Sequence, residues 1–206
     1  PDRASLGRFI AHLGDIGAHA GMSDHDVSEA VYLSDPDGLG IEVYADRPRS
    51  AWRYEGPQLH MTTAHMHVAD VVRAGGGVPW SGMPAGTTIG HVHLYVGDID
   101  RAAAFYHGAL GFDKVVWNYP GALFMSAGGY HHHLGTNTWA AHAPAAADED
   151  ARLLEWEVVV PDRDAVDAAA RSLESGGYAV DRADGDARAR DPWGTMVRVT
   201  GGREAR

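Results

Sequence analysis

Three landmarks of this chain recur in the same order, and any fold it adopts has to house them twice. Pro1-Asp2-Arg3 opens a helical run to about Leu13, followed by Gly14-Asp15-Ile16-Gly17. Pro161-Asp162-Arg163 opens another to about Leu173, followed by Ser175-Gly176-Gly177. Each copy then reaches Asp-Pro-x-Gly ahead of a strand, at Asp35-Pro36-Asp37-Gly38 and Asp191-Pro192-Trp193-Gly194. The offset is 160 residues at the first landmark and 156 at the last. Self-similarity of this kind marks a structural unit used more than once. The later copy has the β-rich run Leu153–Val160 in front of its helix, which reads as a strand. The chain starts at Pro1 rather than at a methionine, at what would be a strand-to-helix corner. On that pattern we expect an N-terminally truncated chain.

Between the copies lies a third unit of the same kind. Gly90–Val96 alternates like a half-buried strand. Asp98 can cap the next helix and Gly111 can close it after Leu110. Strands are expected at Val115–Trp117, Leu123–Ala127 and Tyr130–Leu134, separated by Gly and Pro turns. The order is strand, helix, three strands. Residues 45–88, rich in Pro, Gly and Trp, read as a connection with one short helix near Val68–Ala74. The expected organisation is therefore residues 1–46 as the closing part of a first domain, 47–88 as a linker, and 89–202 as a second domain of two modules. The class is α+β.

Composition narrows the function. The formal charge of −11 argues against a binder of phosphate backbones, which needs clustered Lys and Arg. Lys114 is the single lysine. Cysteine is absent, which removes disulfides, thiolate metal sites and thiol nucleophiles together. No apolar run reaches the length of a membrane span, so a cytoplasmic location is expected. Thirteen histidines all fall between His12 and His142.

Two clusters are left once turns and core are set aside. In Ser23–Tyr44, two strands joined by the Asp35–Gly38 turn put Glu42 and Tyr44 on one face, with Ile41 and Val43 on the other. Glu42 is then either a solvated residue on the wet face of a sheet or a metal ligand, since a mid-strand carboxylate among apolar neighbours needs a partner. In the second cluster His91 and His93 share a strand face. His132 is expected to point away from His131 and His133 on another strand. Such a His-x-His pair either lines a polar cavity or starts a site for Fe, Mn, Zn or Ni, all of which accept imidazole. His12, His60, His65, His67, His107 and His142 read as solvated.

Three strings carry a resemblance: Gly90–Phe112 (GHVHLYVGDIDRAAAFYHGALGF), Ser126–Trp139 (SAGGYHHHLGTNTW) and Ser23–Pro48 (SDHDVSEAVYLSDPDGLGIEVYADRP). Together with the module order they resemble the vicinal oxygen chelate superfamily, which includes glyoxalase I, bleomycin-resistance proteins and extradiol dioxygenases. The likeness is strongest to two-domain catechol-2,3-dioxygenase-like proteins. It implies paired βαβββ modules whose curved sheets form half-open barrels. With 64 residues from His91 to Glu155, roughly 70–80 residues are expected ahead of Pro1.

In extradiol enzymes two histidines and one glutamate bind Fe(II), leaving positions open for the diol and dioxygen. By resemblance Glu42 matches that glutamate, His25 a histidine beside the substrate, and Tyr32 a tyrosine bonded to the diol. The two histidine ligands would lie ahead of Pro1. In the second domain His91 matches a first ligand and His132 lies near a catalytic histidine. Glu155 stands where a second histidine ligand is expected, and Arg198 where the last-strand glutamate is. His91, His93, His132 and Glu155 are thus either a divergent metal site or the remains of one in a non-catalytic sister domain. The implied activity is ring cleavage of an aromatic diol by dioxygen with Fe(II), and Mn, Zn or Ni as alternative metals. The 206 residues alone are expected to be inactive. No nucleic acid or membrane partner is expected, and an incomplete first domain would favour pairing with a second copy. A glyoxalase-like metal lyase or isomerase, and a non-catalytic binding protein of the bleomycin-resistance type, are the rival readings.

Overall fold

Capping explains why Pro-Asp-Arg recurs. A computed structural model describes residues 1–144 and 146–202. In it the Asp2 carboxylate accepts the Ser5 amide at 2.7 Å, and Asp162 accepts the Ala165 amide at 2.9 Å. Each aspartate thereby satisfies a donor that the helix itself leaves open. The first helix so capped is α1 (Arg3–Asp15), which buries Leu6, Phe9, Ile10 and Leu13 along one stripe. The Asp-Pro-x-Gly landmark has an equally local cause. Asp35 Oδ1 accepts the amides of Asp37 and Leu39 at 2.9 and 2.8 Å. Asp191 Oδ1 accepts those of Trp193 and Thr195, both at 2.9 Å. Gly38 and Gly194 take φ of 87° and 96°, a conformation that costs glycine little.

The chain divides into two compact units, Pro1–Gly90 and His91–Arg206. In the first, α1 is followed by β1 (Gly21–Asp24), β2 (Ser28–Ser34) and β3 (Gly40–Asp46), an antiparallel sheet in the order β1-β2-β3. Residues 47–88 hold a 3-10 turn at Arg49–Ala51, the strands β4 (Tyr54–Glu55) and β5 (Gln58–Leu59), and α2 (Val68–Ala74) at the expected helix. Met66 and Val71 join the four buried residues of α1, and Val31 of β2, in one core. The two helices approach so closely that Gly7 has no space for a Cβ against the Val71 carbonyl.

A charged network ties this core to the sheet. Glu29 of β2, only 4% exposed, accepts Nε and Nη2 of Arg3 from α1. Arg47 grips both carboxylate oxygens of Asp24. The Arg47 guanidinium holds the Asp24 carboxyl below the usual carboxylate range, against a smaller opposing push from burial. A carboxyl lowered by folding adds stability at neutral pH, and that share disappears as pH falls through the lowered value. The first unit should therefore lose stability as pH falls below the ordinary carboxylate value of 3.8. In Asp24→Asn the slope of urea midpoint against pH should be shallower over that window. An unchanged slope would assign the acid sensitivity to other carboxylates.

The second unit repeats strand, helix, three strands. First come β6 (Val92–Tyr95), α3 (Ile99–Ala103), β7 (Asp113–Val116), β8 (Ala122–Ser126) and β9 (Leu134–Asn137). Asp98 caps α3 through the Arg101 amide at 2.8 Å. A π-helical turn at Ala104–Ala109 extends the helix, and Gly111 (φ 98°) lies just beyond it. Then come β10 (Glu155–Val160), α4 (Arg163–Ser175), β11 (Val180–Ala183), β12 (Asp186–Arg190) and β13 (Met196–Gly201). The sheets run β6-β9-β8-β7 and β10-β13-β12-β11, and in each the first strand lies parallel to the last. Phe105, Tyr106, Leu123, Met125, Leu134, Trp156, Leu173 and Val197 share one core. The fold is α+β as expected, in mixed sheets that do not close into barrels.

One strand differs from expectation. Tyr130–Leu134 is not a strand: β9 begins at Leu134. Gly128 and Gly129 both take positive φ (63° and 68°), so the turn after β8 continues further than composition suggests. Among the described residues no helix is long and apolar enough to cross a membrane.

Candidate functional site

The β2–β3 hairpin brings Tyr32 and Glu42 together. The register pairs them directly across the two strands, so both side chains leave the same face. The Tyr32 hydroxyl lies 3.0 Å from Glu42 Oε1, to which it can donate. Its other neighbour is His25, whose Nε2 is 2.6 Å from the same hydroxyl. His25 comes from the tight turn between β1 and β2, where Asp26 takes φ 66° and its amide is held by Asp24 Oδ1 at 2.9 Å. Such a positive φ is uncommon outside glycine, and Asp and Asn are among the residues that tolerate it best. The three residues expected from the sequence thus form one hydrogen-bonded array.

Residues 60–64 complete it. Asp24 and Ala64 exchange backbone hydrogen bonds of 2.9 and 2.8 Å, and this brings the Thr62 carbonyl to 2.6 Å from His25 Nδ1. A carbonyl only accepts, so Nδ1 carries a proton. Nε2 then accepts from the Tyr32 hydroxyl when the ring is neutral, and donates to it when the ring is charged. Tyr32 has one proton to share between His25 and Glu42. A proton arriving at His25 therefore turns the Tyr32 O–H toward Glu42, and its departure turns it back. Thr62 was not legible as a partner, because its role depends on tertiary pairing with β1. His60, read as solvated, lies between Asp26 Oδ2 (3.1 Å) and Glu55 Oε1 (2.7 Å).

In the second unit His91, His131 and His132 meet. The His91 ring centroid is 4.2 Å from that of His132 and 6.3 Å from that of His131. His131 and His132 contact each other through their Nδ1 atoms at 2.8 Å, so one donates and the other accepts. Neighbouring residues of a strand point apart. This contact is available because 131–133 precede β9, and the expected opposition of His132 to His131 is corrected accordingly. His93 does not join them. Asn137 Oδ1 accepts the Trp139 amide at 3.0 Å, which turns Asn137 Nδ2 toward His93 Nε2 at 2.8 Å. That lone pair is therefore engaged by an amide donor.

Glu155 and Arg198 lie in an ionic network on the exposed side of their sheet. Glu155 is 3.5 Å from Arg188, and Arg198 donates from Nε and Nη2 to Asp186. Asp186 and the nearby Glu157 and Glu155 push the Arg198 guanidinium above its ordinary range, so it stays charged. Among the described residues no group of three or more His, Asp or Glu is arranged to hold a metal ion.

Comparison with known proteins bears on this geometry. The family described as Glyoxalase/Bleomycin resistance protein/Dioxygenase superfamily matches residues 88–199. The catechol-2,3-dioxygenase of Bacillus subtilis (strain 168) is 45% identical over 197 residues, covering 93% of this chain and 68% of that protein. The solved 2,3-dioxygenase LapB from Pseudomonas sp. KL28 is 18% identical, covering 98% of this chain and 69% of its own, with a TM-score of 0.43. The lactoylglutathione lyase from Agrobacterium tumefaciens is 22% identical, covering 58% of this chain and 96% of its own, with a TM-score of 0.44.

Proposed function

The chain belongs to the glyoxalase/bleomycin resistance protein/dioxygenase superfamily, and on that premise we propose that its gene product cleaves catechol-type rings beside the diol, using dioxygen in the cytoplasm. The observation that carries this reading is the His25–Tyr32–Glu42 array on one sheet face. The 45% identity to a catechol-2,3-dioxygenase supports it. In this reading residues 1–46 close a first domain, and 89–202 form a second one of two modules.

The resemblance implies a divalent metal, Fe(II) first, with Glu42 giving one carboxylate oxygen. The described residues do not by themselves fit such a centre, since they bring no group of three donors together. Tyr32 offers its hydroxyl to a diol oxygen and orients the ring. His25, anchored by the Thr62 carbonyl, accepts the proton that the diol gives up and returns it later. An imidazole does both near neutral pH. Glu42 holds the far side of Tyr32 by accepting its hydroxyl.

The test supplies the gene product with Fe(II) and follows colour formation from catechol under air, oxygen uptake and bound iron. Ring cleavage is expected, and Glu42→Gln should lower both bound iron and turnover, because a charged oxygen becomes a neutral one at constant shape. Iron retained without ring cleavage in the parent protein would refute the activity. Iron and turnover unchanged in Glu42→Gln would make Glu42 an ordinary strand residue. The 206 residues alone should give no colour, and colour from them would move the reaction to residues not assigned to it here.

A further inference from the structure

The second unit holds a cavity of about 530 Å³ between α3 with its π-helical extension and the strands β7 and β8. It takes no part in the ring cleavage proposed above. The volume suits one small organic molecule, since ligand pockets run from roughly 300 to 1,000 Å³. Buried Ala103, Ala122 and Leu123 give it an apolar floor. Trp117, 46% exposed just past the end of β7, adds an aromatic wall that reaches solvent.

Charges of both signs line this cavity. Lys114, the single lysine of the chain, pairs with Met125 in the β7–β8 register. Its side chain therefore leaves the sheet on the face of Met125 and Leu123, the face that packs on the helix. Asp100, Ala103 and His107 follow about one turn apart on the helical side. Asp113 adds a second carboxylate from the edge strand β7. Among the described residues no carboxylate reaches ion-pair distance of Lys114, so these charges share one space without neutralising each other. The register of β7 shifts directly after Lys114, and bulges of this kind re-aim side chains beside binding sites. His107 is fixed in its wall, since its Nδ1–H donates to the Phe112 carbonyl at 2.6 Å.

We propose that this cavity binds a zwitterion with an apolar body, of the class of an aromatic α-amino acid. Its carboxylate meets the Lys114 ammonium, its ammonium meets the Asp100 carboxylate, and its ring lies on Trp117 over the Ala103 and Leu123 floor. A simple anion is disfavoured because Asp100 and Asp113 outnumber Lys114. A simple amine is disfavoured because Lys114 faces the same space. Only a ligand carrying both charges gives each side a partner, and charge-assisted hydrogen bonds are the stronger kind. An apolar body then displaces water from the floor, which adds affinity without choosing between the charges.

The whole chain should be titrated with L-phenylalanine, with 3-phenylpropanoate, which lacks the ammonium, and with 2-phenylethylamine, which lacks the carboxylate. Amide NMR shifts and tryptophan fluorescence follow the binding. Phenylalanine should bind saturably and shift amides in 99–107 and 113–117, and each single-charge analogue should bind about 10-fold more weakly or worse. Lys114→Met and Asp100→Asn should each weaken phenylalanine about 10-fold, while Trp139→Ala, outside the cavity, should not. Both positions are exposed, so the variants should fold; Lys114→Gln replaces Lys114→Met if circular dichroism shows that variant unfolded. A single-charge analogue binding as tightly as phenylalanine would end the proposal. So would no saturable response to phenylalanine, shifts confined to other residues, or full affinity in either charge variant.

Discussion

Asp191→Ala should cost the second unit about 3 kcal/mol, a large part of the roughly 5–15 kcal/mol by which a domain is usually stable. Asp191 is buried, and its two oxygens serve different parts of the fold. Oδ1 holds the turn before β13 through the Trp193 and Thr195 amides, while Oδ2 accepts the hydroxyl of buried Tyr106 at 2.7 Å. Burial, and then the Asp191 charge, push the Tyr106 hydroxyl far above its ordinary range, so it remains a donor. Alanine would leave that donor stranded in the core and release the turn. Tyr106→Phe should cost about 2 kcal/mol, by leaving one charged oxygen without its partner. Asp191→Asn should be milder than Asp191→Ala, because one oxygen still accepts the turn amides. Urea midpoints measure all three. A midpoint unchanged in Asp191→Ala would show that water replaces the carboxylate at no cost.

The second large effect is kinetic. In the gene product His25→Ala should lower ring cleavage about 10²–10⁴-fold, the range for losing a positioned acid or base. Bound iron should stay, because His25 acts through Tyr32 and the proton. Loss of iron along with activity would instead make His25 a ligand. Full activity in the variant would leave Tyr32 and Glu42 to do the work alone.

How much of this was legible depended on whether the controlling contact is local. Asp2, Asp35, Asp98, Asp162 and Asp191 each act on amides within four residues, so capping and turns could be read from residue order. Tyr32 and Glu42 were named together by resemblance alone; their pairing across the β2–β3 hairpin came from the register. Position 62 could not be read, because it reaches His25 only through pairing of residue 64 with β1. The histidines at 131–133 misled for a related reason. Alternation describes a strand, and two positive-φ glycines delay the start of this one. That Asn137 claims His93 was not visible, since it depends on which way an amide on a neighbouring strand is turned.

The parallel edges of the second unit have a consequence for how it assembles. Glu155 faces Met196 and Val92 faces Leu134, so each edge strand must wait for about forty residues to be arranged before its partner exists. In the first unit the β2–β3 ladder starts at Ser34 and Gly40, a closure that is nearly immediate. Long closures are slower and lose more chain entropy than short ones. The hairpins β8–β9 and β11–β12–β13 should therefore zip first, with β6 and β10 docking afterwards. In the native protein the same strands should detach first, so their amides should take up deuterium ahead of those in β8, β12 and β13.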